Sequence, residues 1–171
     1  MTARFGLVAL AGSFIAGIAL AAGAHLSVDD IAGVYKHRFE NSNIGGGKYQ
    51  SEDALEIVKV RPDQAYIRAH LAFYNGHQCS VYGIAKVEGD ALIYRTRRYN
   101  DRMCVLILRR DANRLVFGDK DSACHDEFCG MRGMFDGQGF PLSSRRPIRY
   151  MKRLLKSREY AEATAELSKE K

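Results

Sequence analysis

Hydrophobicity alternates with period two through most of the chain, and this limits it more than any other feature to pleated strands with one buried face. In the clearest run Ala65, Ile67, Ala69, Leu71 and Phe73 share one side, while Tyr66, Arg68, His70 and Tyr74 take the other. Before it, Val34–Phe39 and Ala54–Val60 are separated by the turn cluster Asn41–Gly47, and the second is stopped by Arg61-Pro62-Asp63. After it, Asn75-Gly76, a strong hairpin signal, leads to a run with Val81, Gly83, Ala85 and Val87 on one face. Glu88-Gly89-Asp90 turns the chain into Ala91–Tyr99, Asn100-Asp101-Arg102 into Met103–Arg109, and Asp111-Ala112-Asn113 into Leu115–Phe117. A last short strand is expected over Met131–Phe135. About eight short strands joined by hairpin-like turns, with no helical pattern between them, predict a mainly β fold: an antiparallel meander barrel.

Both ends of the barrel sequence change character. Ser27-Val28-Asp29-Asp30 has the form of a capping box and predicts a short helical turn ending at Gly33. Pro147 suits a first helical position, and Ile148, Met151, Leu155 and Tyr160 lie on one stripe. One amphipathic helix over 147–168, packed on the barrel, is the expectation. Arg145, Arg146, Arg149, Lys152, Arg153, Lys156 and Arg158 crowd its start, with Glu159, Glu162, Glu166 and Glu170 later. In a single helix that order opposes the macrodipole, so the cations read either as a contact for an anionic surface or as a solvated face covering apolar surface with long stems.

Residues 1–24 have the parts of an export signal: one cation (Arg4), an apolar run from Phe5 to Ala22, and the small residues Ala22-Gly23-Ala24 before His25. Gly12, Gly17 and Gly23 dilute the run, and no basic stop-transfer cluster follows, which favours a cleaved signal over a membrane anchor. No cysteine near the cut could be lipidated. Without residues 1–24 the chain keeps 147 of its 171 residues, and loss of Arg4 takes the formal charge from +6 to +5. That length suits one domain with a proper core, and an apolar fraction of 46% argues against disorder. For an exported basic protein the expected partners are acidic components of the envelope, in the periplasm or outside the cell, and not nucleic acid.

Cys79, Cys104, Cys124 and Cys129 form an even set in a chain read as exported, which predicts two disulfides. A four-thiolate zinc site would show two close pairs, and only Cys124 and Cys129 are close. Successive hairpin turns alternate between the two ends of a meander, so all four sulfurs should gather at one rim. Pairing of Cys104 with Cys124 and Cys79 with Cys129 fits that layout best; Cys79–Cys104 with Cys124–Cys129 is the alternative. Either way His125, Asp126, Glu127 and Phe128 sit in a pinned stretch. It reads as a preorganised binding loop or as a braced rim with ordinary solvated polar residues.

Signatures of catalysis are missing from the sequence. There is no G-x-S-x-G elbow, no C-x-x-C beside a βαβ unit, no H-E-x-x-H and no phosphate or dinucleotide loop. Gly45-Gly46-Gly47 precedes no helix and reads as turn material. His125, Asp126 and Glu127 are adjacent and so point in different directions, which disfavours a metal. His37 and His70 alternate with apolar neighbours and read as solvent-facing strand residues. The expectation is no catalytic residue, no metal and no cofactor.

Cys129-Gly130-Met131-Arg132-Gly133-Met134-Phe135-Asp136-Gly137 resembles the C-G-x-R-x-x-F-x-G segment late in small exported β-barrel modules of the lysozyme-inhibitor type. Cys124–Cys129 with His125-Asp126 between them is similar to the C-K-P-H-D-C loop of vertebrate-lysozyme inhibitors, whose histidine enters the target's cleft. Here the pair follows the first cysteine by one position instead of three. Gly33-Val34-Tyr35 is similar to the lipocalin G-x-W, with Tyr for Trp. These resemblances imply a non-catalytic envelope binding protein that inhibits a lysozyme-like wall hydrolase through His125–Phe128. A basic chain meeting a basic lysozyme would associate slowly, so the target should be acidic at least locally. The alternatives are a calycin-like carrier of a small apolar ligand, with room at Val81, Gly83 and Ala85 unless Phe73, Leu92, Tyr94 and Phe117 fill it, and an envelope scaffold docked through the basic helix.

Overall fold

In the computed structural model, which describes residues 25–96 and 102–167, eight strands form one antiparallel sheet in which each pairs with its neighbours in the chain. They are β1 (Gly33–Ser42), β2 (Lys48–Arg61), β3 (Gln64–Ala72), β4 (Gln78–Glu88), β5 (Ala91–Arg95), β6 (Val105–Asp111), β7 (Arg114–Asp119) and β8 (Gly139–Pro141). The sheet curls into a nearly closed barrel. Its two edges meet where Val34 and Arg146 exchange backbone hydrogen bonds of 2.9 Å. Gly33 lies at φ +145°, and a Cβ there would stand 2.8 Å from the Arg146 carbonyl oxygen. Glycine is therefore what lets the edges come together.

The predicted inward stripes are the core. Ala65, Ile67, Ala69 and Leu71 of β3 are buried, as are Val81 and Ala85 of β4. Tyr35, Phe117, Phe135 and Phe140 fill the interior with rings, Phe117 and Phe135 lying 5.8 Å apart. The room left by Gly83 is taken by Tyr94, whose Cε2 would be 2.2 Å from a Cβ on that glycine. The predicted helical turn is α1 (Val28–Ile31), with Val28 and Ile31 fully buried and the Ser27 hydroxyl accepting the Asp29 N–H at 3.3 Å. Leu26 donates to the Gly89 carbonyl at 3.1 Å, which sets α1 at the end of the barrel that holds the β4–β5 turn. The Tyr35 hydroxyl donates to the Ile31 carbonyl at 2.8 Å, and burial pushes its pKa up.

Three local expectations need correction. The last strand is not Met131–Phe135 but β8, after Asp136-Gly137, because Phe135 is fully buried as an anchor and the segment before it is looped. Asn75-Gly76 is not a two-residue turn. It sits inside a longer connection in which Phe73 donates to the His77 carbonyl at 2.7 Å, although both residues take the expected positive φ (58° and 72°). The single helix over 147–168 is two, α3 (Met151–Leu154) and α4 (Arg158–Leu167). Leu155 closes the first, and Ser157 starts the second by accepting the Tyr160 N–H on Oγ at 3.2 Å. The break removes the expected conflict with the macrodipole: Lys152 and Arg153 fall in the last turn of α3 and Glu159 in the first turn of α4, each at its favourable end.

These helices cover part of the outer face. Val34, Val58, Tyr66, Ile148, Leu154 and Ala163 form a second apolar cluster, and Tyr66 meets Tyr160 edge-on at 5.0 Å. Beside it the buried Glu56 accepts from Arg68 at 2.5 and 3.0 Å and from the Tyr150 hydroxyl, tying the C-terminal segment to β2 and β3. The expected continuation of β5 to Tyr99, the turn at Asn100-Asp101, the segment 1–24 and the helix end at Ser168 lie outside the described residues.

On the uncovered outer face, His37 is exposed and His70 Nδ1 lies 3.0 Å from Ser80 Oγ. Between them Asp53 accepts the Ala72 N–H at 2.8 Å, and its carboxyl is raised from the ordinary 3.8, chiefly by burial. The folded chain thus keeps this proton where the unfolded chain has lost it, so the contribution of Asp53 to stability falls as pH rises from about 3.8 through the raised value, then levels. Asp53→Asn is expected to abolish that slope. Urea titrations across the acid range check it, and a wild-type-minus-variant difference that stays flat would contradict the assignment.

Candidate functional site

Among the described residues, strand pairing leaves a gap on one flank of the barrel. β5 pairs only with Ala85–Glu88 of β4, and the remaining β4 edge carries one bridge among the described residues, from Cys79 to Cys129. A short helix, α2 (Ala123–Phe128), occupies this region. The turn before it holds Asp121 and Ser122 at positive φ, and its first amides are satisfied from upstream: the Asp119 carboxylate accepts from Cys124 and His125 at 2.9 and 2.8 Å. Gly130 donates to the Gln78 carbonyl at 2.8 Å as the chain leaves α2 along β4.

The sulfurs pair as Cys79–Cys129 and Cys104–Cys124, the arrangement the turn count favours. The stretch Cys124–Cys129 is therefore not closed on itself. Each end is tied to a different strand segment, and the pinned element is a helical turn lying against the barrel, with Cys124 fully buried. Of the four expected binding residues, two pairs diverge. His125 Nδ1 lies 3.1 Å from Asp126 Oδ1, and Asp126 accepts from Arg102 at 2.8 Å, facing solvent. Glu127 and Phe128 turn toward the flank: the Thr96 hydroxyl donates to Glu127 at 3.1 Å, and Phe128 lies 6.2 Å from Tyr94. No group of three metal-ligating side chains occurs among the described residues.

Glu127 and Phe128 line a groove of about 840 Å³ between α4, β4 and β5, reached also by Tyr82, Glu162 and Glu166. The loop after α2 is equally well held. Phe135 anchors it in the core, Gly133 donates to Gly130, and a Cβ on Gly133 would be 2.6 Å from Cys79 Sγ. This loop presents Met131 (86% exposed) and Met134 (49%), while Arg132 sits 5.4 Å over the Tyr74 ring. Ile44, at the β1–β2 turn, is 77% exposed, and its amide donates to Asn75 Oδ1 at 3.1 Å. With Tyr74 and Met103, five of the seven exposed large apolar side chains among the described residues stand at the disulfide end. Sequence reasoning missed Asp119 and this patch. The alternation of strands says nothing about loop tips, though the spacing of Met131 and Met134 around Gly133 was a visible signal.

The basic stretch is not one face. Arg145 donates to the Asp30 carbonyl and, at 3.4 Å, to that of Asp29; Arg110 also reaches Asp30, at 3.2 Å. Both cap the end of α1. Arg146 folds back on the Ser143 and Arg145 carbonyls at 2.8 and 2.7 Å, and Arg153 lies 5.3 Å over Tyr150. Arg149, Lys152 and Lys156 are exposed. No helix among the described residues is long and apolar enough to cross a membrane. No family model, no curated protein and no solved structure matches the chain.

Proposed function

We propose that the chain is a non-catalytic, exported binding protein that docks on a wall hydrolase of the lysozyme type through the disulfide end of its barrel. The observation that carries this is the set of exposed apolar side chains at the disulfide end, Ile44, Tyr74, Met103, Met131 and Met134, of which Met131 and Met134 follow Cys129 and Met103 precedes Cys104. Exposed apolar side chains gathered at one end of a fold mark interaction sites, methionines adapt to a partner's shape, and bracing lowers the ordering cost of association. Two disulfides suit an oxidising compartment. The like-charge objection weakens locally: with Glu127 turned to the flank, Asp119, Asp121, Asp126 and Asp136 stand against Lys120, Arg132 and the Arg102 that pairs with Asp126, although the whole chain is +6. An end less basic than the rest of the chain meets a basic hydrolase with less repulsion.

Titration of the mature protein against a panel of lysozymes, read as hydrolysis of cell walls, tests the proposal. Micromolar protein should inhibit at least one of them. Met131→Asp with Met134→Asp should weaken inhibition about 30-fold, the equivalent of ~2 kcal/mol for a central interface anchor. A panel wholly indifferent to micromolar protein would end this reading.

A further inference from the structure

The flank groove has a chemistry unlike the rest of the molecule. In a chain of net charge +6 it brings together Glu127, Glu162 and Glu166. Of the cations in its wall, Arg95 is bound to Glu88, with one nitrogen at 2.9 Å, and Lys86 is the other; from outside the wall Arg158 stands 3.6 Å from Glu162. Those carboxylates are positioned from the protein side: Tyr82 donates to Glu162 at 2.6 Å and Thr96 to Glu127 at 3.1 Å. Between them the wall is aromatic and aliphatic, with Tyr94 tucked over Gly83, Phe128 beside it, and Ile84 and Leu167 to either side. The Tyr94 phenol is pushed up, first by burial and then by the negative charges of Glu127 and Glu166.

We propose that this groove binds a small organic cation with an apolar body, its charge held among Glu127, Glu162 and Glu166 and its body against Tyr82, Tyr94 and Phe128. Carboxylates gathered on one side of a groove attract a cation by charge, and aromatic rings attract a desolvated cation further. The volume of about 840 Å³ lies within the range of small-molecule clefts. An anion of the same length would meet three like charges and be rejected. The groove lies on the barrel's flank and does not depend on the docking role of the rim.

Isothermal titration of the mature protein with decyltrimethylammonium, decanoate and octyl glucoside, each below its micelle-forming concentration, provides the test. The ammonium should bind saturably and the carboxylate at least about tenfold more weakly. Glu127→Gln with Glu166→Gln should weaken ammonium binding about tenfold with far-ultraviolet dichroism unchanged. Gly83→Ala, which displaces the Tyr94 ring, should weaken it as well. Met131→Asp with Met134→Asp should leave it intact, which separates this site from the rim. Equal binding of ammonium and carboxylate, no saturable binding, or indifference to the double glutamine variant would each overturn the assignment.

Discussion

Removing the Cys79–Cys129 bridge by Cys79→Ala with Cys129→Ala is expected to lower the unfolding free energy by about 4 kcal/mol. The bridge joins residues 50 apart in sequence, and a crosslink of that span withdraws about this much loop-closure entropy from the unfolded chain. Cys104–Cys124 spans 20 residues and should contribute about 3 kcal/mol alone. It nests inside the longer loop, so the two losses should not add. For a chain of this size the melting temperature should fall by about 10 °C on loss of the longer bridge, measured by calorimetry on the paired variant. The native cost is concentrated locally as well. Without the bridge, the start of the 129–138 loop keeps the Gly130 bond to β4 and its attachment to α2, while Phe135 still anchors its far end in the core. Limited proteolysis should therefore cut first near Met131. A paired variant that melts with the wild type and resists cleavage there would show that the rim is held by packing, not by sulfur.

Phe135→Ala is expected to cost about 3–5 kcal/mol, the usual range for truncating a fully buried ring. Its ring lies 5.8 Å from Phe117 in the barrel interior, with the exposed methionines on its N-terminal side and Asp136, which accepts the Asp119 N–H at 3.3 Å, following it. Its loss should therefore couple two readouts. The core should destabilise, and any partner affinity carried by Met131 and Met134 should fall even where the variant remains folded. Phe135→Leu keeps most of the apolar volume and separates the two: stability should largely return, and rim binding should return with it. Denaturant titrations of both variants, beside the lysozyme assay, give the comparison. A Phe135→Ala protein as stable as the wild type would contradict the packing of the loop described above.

Much of the barrel was legible in the residues. Period-two alternation is a local property, so it identified the inward faces of β3 and β4 and placed Gly83 among them. Parity of hairpin turns is topological. It put all four cysteines at one end and favoured the observed pairing without any distance being known. Even the wrongly sized Asn75-Gly76 turn kept its backbone conformation, because positive φ is a property of those residues and loop length is not.

What the alternation cannot report is which outward-facing residues will be covered. Tyr66 reads as solvent-facing yet is fully buried, because helices some 90 residues later pack on it. Arg145 reads as a surface cation yet caps α1 across the barrel end, at a sequence separation of 115. The break at Ser157 resolves a charge order that only a single helix would find unfavourable. The flank groove exists because β5 pairs with a fraction of β4, a mismatch invisible in either strand alone. The sequence by itself determined all but the last of the strands, their inward faces and the end at which the sulfurs meet, since each follows from local stereochemistry or from counting turns. Tertiary structure decided which polar groups stay free for a ligand or partner, because burial of an outward side chain depends on long-range packing that no local pattern encodes.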